Sequence, residues 1–116
     1  VKPTTGFAMI LLALLPLHAE AHAHLVQAIP ANDSVLTQTP PTFALQFNEP
    51  ARLTALSIQK DNEPAHKLSG LASVASARWV IPAPPLAPGS YTLNYRVLSD
   101  DSHITSGSIK FQIREP

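Results

Sequence analysis

Tyr91-Thr92-Leu93-Asn94-Tyr95-Arg96-Val97 alternates apolar and polar side chains, so Tyr91, Leu93, Tyr95 and Val97 share one face of an extended strand. Thr42-Phe43-Ala44-Leu45-Gln46-Phe47-Asn48 repeats the period with Phe43, Leu45 and Phe47. Ser108-Ile109-Lys110-Phe111-Gln112-Ile113-Arg114 repeats it again. Weaker strand patterns cover residues 25–29, 53–59 and 78–81. Between them stand Pro30-Ala31-Asn32-Asp33-Ser34, Pro40-Pro41, Asp61-Asn62-Glu63-Pro64 and the proline-rich run 82–89. Proline cannot donate to a central ladder, and Gly, Asn and Asp tolerate turn dihedrals, so these segments read as connections. No helical period of useful length follows residue 21. Short strands at this spacing, each with one apolar face, predict an all-β fold: a two-sheet sandwich with Greek-key connections. Trp79, the single tryptophan, is expected to pack between the sheets.

Outward from the strands, the first residues have a different character. Lys2 supplies a positive charge, residues 7–15 are a continuous apolar run, and Pro16 breaks it. Ala19-Glu20-Ala21 places small residues where a signal peptidase reads them. A membrane span needs about 20 apolar residues, and this run is shorter. Residues 1–21 are therefore read as a secretory signal peptide and residues 22–116 as one domain. Ala21-His22-Ala23 is a competing cleavage site, which would make His24 the first mature residue.

With 116 residues, and Lys+Arg 8 balancing Asp+Glu 8, the chain has no broad field and no basic run to attract nucleic acid. A single monomeric domain is expected. Cysteine is absent, so neither disulfides nor thiolate metal ligands are available.

Two segments carry candidate chemistry. His22 and His24 open the mature chain, where an α-amine and an imidazole of one residue can chelate a divalent ion at low proton cost near neutral pH. Nitrogen donors in a square-planar arrangement suit Cu(II). A second mode is open to His22-Ala23-His24: the amine, two deprotonated backbone amides and the third-residue imidazole wrap the ion. Further on, Ser99-Asp100-Asp101-Ser102-His103 joins two strands. Asp101 and His103 share a face of an extended segment, as two ligands or as an imidazole oriented by a carboxylate. A nucleophilic hydrolase finds no Gly-x-Ser-x-Gly elbow here.

Several of these stretches resemble the CopC family of periplasmic copper-resistance proteins, YobA-like members included. His22-Ala23-His24-Leu25-Val26, followed by Pro30-Ala31, is similar to the mature start of that family. Leu45-Gln46-Phe47-Asn48-Glu49 and Leu86-Ala87-Pro88-Gly89-Ser90-Tyr91 are similar to two internal segments. Arg96-Val97-Leu98-Ser99-Asp100-Asp101-Ser102-His103, closed by Gly107, resembles its Arg-x-x-Ser-x-Asp-x-His signature. The resemblance implies an immunoglobulin-like β-sandwich that binds one Cu(II) ion per chain. His22 would supply amine and imidazole, His103 a second imidazole, and Asp101 a carboxylate at or near the ion. Glu49 stands where the family has a glutamate near the site, and His24 is an alternative ligand. Cleavage after Ala21 is favoured by the same alignment. A periplasmic carrier or buffer is implied, delivering copper to an inner-membrane transporter of the CopD type, and not an enzyme. The alternative is a small copper-dependent oxidative enzyme built on the same N-terminal histidine chelate. Some family members carry a Met-rich Cu(I) loop. Here the only methionine is Met9, and the equivalent region, residues 59–70, holds only His66, read as a plain loop residue.

Overall fold

Phe43, Leu45 and Phe47 are buried, as their alternation requires, and with Leu93, Val97, Ile109, Phe111 and Ile113 they form the centre of one core. The computed structural model describes residues 22–116, and their regular structure is entirely β. The strands are β1 (Leu25–Ile29), β2 (Ser34–Leu36), β3 (Thr42–Lys60), β4 (His66–Lys67), β5 (Ser76–Pro82), β6 (Gly89–Ser99) and β7 (Ile104–Ile113). The expected signal peptide, residues 1–21, lies outside the described residues.

The long β3 makes the sandwich. Its first half pairs with β1 on one side and β5 on the other, antiparallel to both. Its second half pairs antiparallel with β4 and β6, and the layer continues through β7 to β2. One ribbon of sheet thus folds over on itself, with the apolar faces of both layers turned inward. The non-consecutive order β1-β3-β6-β7-β2 is that of a Greek-key sandwich. Tyr91, near the start of β6, donates its hydroxyl to the Ala87 carbonyl four residues upstream. The contact has the form of the tyrosine corner of immunoglobulin-like domains.

Two sequence expectations change in detail. The stretches 42–48 and 53–59, read as separate strands around Pro50, are one continuous strand. Pro50 is tolerated because it falls between Gln46 and Ala51, where the register with β5 slips and the proline owes no ladder bond. Ser34, read as part of a turn, begins β2, a short strand that runs parallel to β7. Trp79 is buried as expected, and its indole N–H donates to the carbonyls of Ala51 and Ser76 at 3.1 and 3.0 Å.

Phe111 is the aromatic hinge of the core. It stacks on Tyr91 with ring centroids 5.5 Å apart and packs against Phe43 at 6.1 Å. Truncating so enclosed a ring removes transfer energy and leaves a cavity, so Phe111→Ala is expected to destabilise the domain by about 3–5 kcal/mol. Urea unfolding of the metal-free domain measures this. A loss under about 1 kcal/mol, the range of volume-conserving swaps, would contradict the assigned core.

Candidate metal centre

The β6–β7 connection, residues 100–103, is built on a three-residue hairpin turn, Asp100-Asp101-Ser102, closed between Ser99 and His103. The Ser99 N–H donates to the His103 carbonyl at 2.9 Å, and the Ser102 N–H donates to the Ser99 carbonyl at 3.0 Å. Ser102 closes the loop in the left-handed region at φ 68°. That is a type I turn followed by a left-handed residue, a common three-residue hairpin connection. Asp101 and His103 are therefore brought together by a turn rather than by the extended face expected from their spacing.

Within the loop Asp101 holds His103 at two points. Its Oδ1 accepts the His103 backbone N–H at 3.2 Å, and its Oδ2 lies 2.8 Å from Nδ1 of the ring. Partial desolvation pushes the Asp101 carboxyl up, but the side-chain and backbone hydrogen bonds from His103 and the nearby His103 and His22 outweigh it. The net effect holds the group below its ordinary value of 3.8. The carboxylate is thus kept ionised. With Nδ1 occupied, Nε2 is the ring nitrogen left to meet an ion, the usual result of a carboxylate behind a ligating imidazole.

The other half of the site comes from the start of the described chain. Ala23 is completely buried, and its N–H donates to Ser99 Oγ at 2.9 Å. The His24 N–H donates to Asn48 Oδ1 at 2.6 Å, and the Asn48 N–H returns to the His24 carbonyl at 3.0 Å. The His24 and Asn48 bonds continue the β1–β3 pairing past Leu25, the Ser99 bond ties the segment to the end of β6, and together they set the direction of His22. Its ring meets His103 edge-on, with centroids 4.3 Å apart and planes at 88°. Among the described residues, His22, Asp101 and His103 form a group in which one donor atom from each lies within 4.8 Å of the others.

Two imidazoles and a carboxylate, with an α-amine added if His22 is the first residue, make a nitrogen-rich, oxygen-completed donor set that fits Cu(II). The site is shallow, since the His103 side chain is 61% exposed. An ion there can be reached from solvent.

The remaining candidates fall elsewhere. His24 and Glu49 are not in the three-residue group. Glu49 sits between Asn48 and Pro50, close in sequence to the bonds that hold His24, and its Oε2 is buried with no hydrogen-bond partner. His66 is exposed on β4 opposite Ile58, well along β3 from the metal end. Sequence reasoning assigned no role to Ser99 or Asn48. Ser99 had a legible signal: it continues the inward series 91, 93, 95, 97 and is buried although polar. A hydroxyl on an apolar face needs a partner. Asn48 carried no comparable mark.

A family model described as CopC domain matches residues 25–114. Copper resistance protein C of Xanthomonas campestris pv. juglandis is 31% identical over 120 residues, covering 95% of this chain and 94% of that protein. Protein YobA of Escherichia coli K12 is 30% identical over 117 residues, covering 94% and 92%. Among solved structures, CopC from Methylosinus trichosporium OB3b superposes with TM-score 0.70 at 28% identity, covering 81% of this chain and 95% of that one. The methionine-rich copper resistance protein PcoC of Escherichia coli shares the fold, with TM-score 0.57 at 24% identity over 81% of this chain and all of that one.

Proposed function

The chain belongs to the CopC family and has a copper-related function, and from that premise we propose that it is an exported protein that binds one Cu(II) ion. The ion is held by the amine and imidazole of His22, the imidazole of His103 and the carboxylate of Asp101. The observation that carries this reading is the convergence of those three side chains from opposite ends of the domain.

Cleavage after Ala21 is part of the proposal. Ala23 is enclosed in the core, so removal of His22 and Ala23 at the competing site would strip a packed residue and the bond to Ser99. Cleavage after Ala21 leaves both and frees the amine where it is needed. Asp101 serves twice, orienting His103 and offering a charge to the ion. The partnerless oxygen of Glu49 makes that residue the auxiliary candidate over His24.

An exposed ion held by few ligands suits a carrier or buffer in the periplasm better than a permanent structural metal. Delivery to an inner-membrane copper transporter of the CopD type belongs to the same reading, as does a monomeric, non-enzymatic protein. Titrating the domain that begins at His22 with Cu(II) tests it: one equivalent should bind, with an electron-paramagnetic signal of mixed nitrogen and oxygen ligation. Absence of binding, or an end point well beyond one ion, would overturn the assignment.

The oxidation state has its own test. Residues 22–116 contain neither cysteine nor methionine, so no soft sulfur ligand is available. Cu(I) should pass to a competing Cu(I) chelator under conditions where Cu(II) is retained. Retention of Cu(I) against that chelator would point to a histidine site other than the one described.

A further inference from the structure

The sequence His22-Ala23-His24 offers copper two incompatible modes. In the first, the His22 amine and imidazole bind the ion together with the β6–β7 loop. In the second, the ion takes the His22 amine, the backbone nitrogens of Ala23 and His24, and the His24 imidazole, and two amide protons leave to solvent. Small peptides with histidine third in the chain have every donor the wrapped mode needs. Something in the fold must decide between the two.

The two backbone nitrogens that the wrapped mode requires are the two that the structure engages. The Ala23 N–H is committed to Ser99 Oγ at 2.9 Å, and the His24 N–H to Asn48 Oδ1 at 2.6 Å. Asn48 approaches from β3, the partner of β1, and Ser99 from the end of β6, and the return bond from the Asn48 N–H to the His24 carbonyl keeps the segment extended. Wrapping would break all three bonds, curl the backbone and draw the fully buried Ala23 out of the core. It would also turn copper away from His103, whose ring lies against His22.

We propose that Ser99 and Asn48 are the residues that select the coordination mode: by holding the Ala23 and His24 amides as hydrogen-bond donors, they exclude the backbone-wrapped site and direct Cu(II) to His22 and His103. They touch no ion and act by positioning. Ser99 has a second reach, because its own N–H and carbonyl close the loop that carries Asp101 and His103. One residue thereby sets the distance between the two halves of the site. The inference rests on the proposed Cu(II) site and deepens it.

The test uses the domain beginning at His22 as native protein, as Ser99→Ala/Asn48→Ala, and as the conservative pair Ser99→Thr/Asn48→Asp, which retains an acceptor at both positions. Unfolding curves of the metal-free proteins establish which are folded. In the native and conservative proteins Cu(II) should give the mixed nitrogen–oxygen signal, and His103→Ala should weaken binding by about a hundredfold or more, beyond the cost of losing a partner behind a ligand. In the double-alanine protein a four-nitrogen signal should appear, with the visible band moved to shorter wavelength. There the loss from His103→Ala should shrink to within about twofold, a non-additivity that reports the switch of mode. If the double-alanine protein does not fold, the single Asn48→Ala variant, exposed at its substitution site, carries the same comparison. An unchanged spectrum in a folded alanine variant, or a four-nitrogen signal already present in the native protein, would overturn the selection role. Failure of the native protein to bind Cu(II) would instead remove the underlying site.

Discussion

Adding one glycine before His22 in the domain that begins there should lower Cu(II) affinity by about a hundredfold to ten-thousandfold, the range by which covalent linkage of two binding groups raises affinity. The expectation follows from what the extension changes and what it leaves alone. It converts the α-amine into an amide, a poor donor until it is deprotonated. His22 and its imidazole stay in place, because the bonds from Ala23 to Ser99 and from His24 to Asn48 lie downstream of the addition. The fold and the β6–β7 loop are likewise untouched. The extension also moves the histidine at position 24 from third to fourth in the chain, so the wrapped mode cannot compensate. Competition against a chelator of known Cu(II) affinity measures the effect on the native and extended domains side by side. Equal affinity with an unchanged electron-paramagnetic signal would show that the His22 amine is not a ligand, and that the site must be built from side chains alone. A changed signal would instead report a chelate formed by the new glycine amine with the His22 amide and imidazole.

The strands were readable because burial on one face leaves a period of two. Residues 91–97, 42–48 and 108–114 all carried it; the first two lie within β6 and β3, the third lies within β7 up to Ile113, and each apolar series is largely buried. What escaped were features that local pattern does not encode. The continuity of β3 depends on which neighbours it pairs with on either side of Pro50, a tertiary fact. The strand β2 is only 3 residues long and exists through its parallel pairing with β7. The three candidate site residues were singled out partly from chemistry and partly from family resemblance, and their convergence needed the fold. Spacing alone placed Asp101 and His103 on an extended face, whereas a left-handed Ser102 turns the chain so that the carboxylate grips the ring. The clamp on the N-terminal segment was the least accessible part. A buried serine in an apolar series signals that a partner is required, but only the structure names the Ala23 amide as that partner.

His103→Ala should be the most damaging side-chain change at the site that leaves the fold intact. The ring is mostly solvent-exposed, and its removal opens no core cavity, so stability should stay within about 0.5 kcal/mol of native. Copper affinity should nevertheless fall by about a hundredfold or more. Loss of a partner behind a ligand already costs about tenfold to a hundredfold, and here the ligand itself is removed. The change also removes the ring hydrogen bond that helps to hold the Asp101 carboxyl low, while the backbone N–H of residue 103 can still donate to Oδ1. Asp101→Asn separates those contributions. The amide oxygen can still accept from the His103 ring N–H but carries no charge, so the imidazole stays oriented while the anion is lost. If Asp101 acts mainly by orienting the ring, Asp101→Asn should cost much less than His103→Ala. If it ligates the ion, the two losses should approach each other, and the double variant should lose less than their sum because both belong to one unit. Chelator competition on the four proteins, with unfolding curves as the control for structure, gives the full cycle. A His103→Ala protein that is stable and binds Cu(II) as tightly as native would mean that the β6–β7 loop takes no part in copper binding.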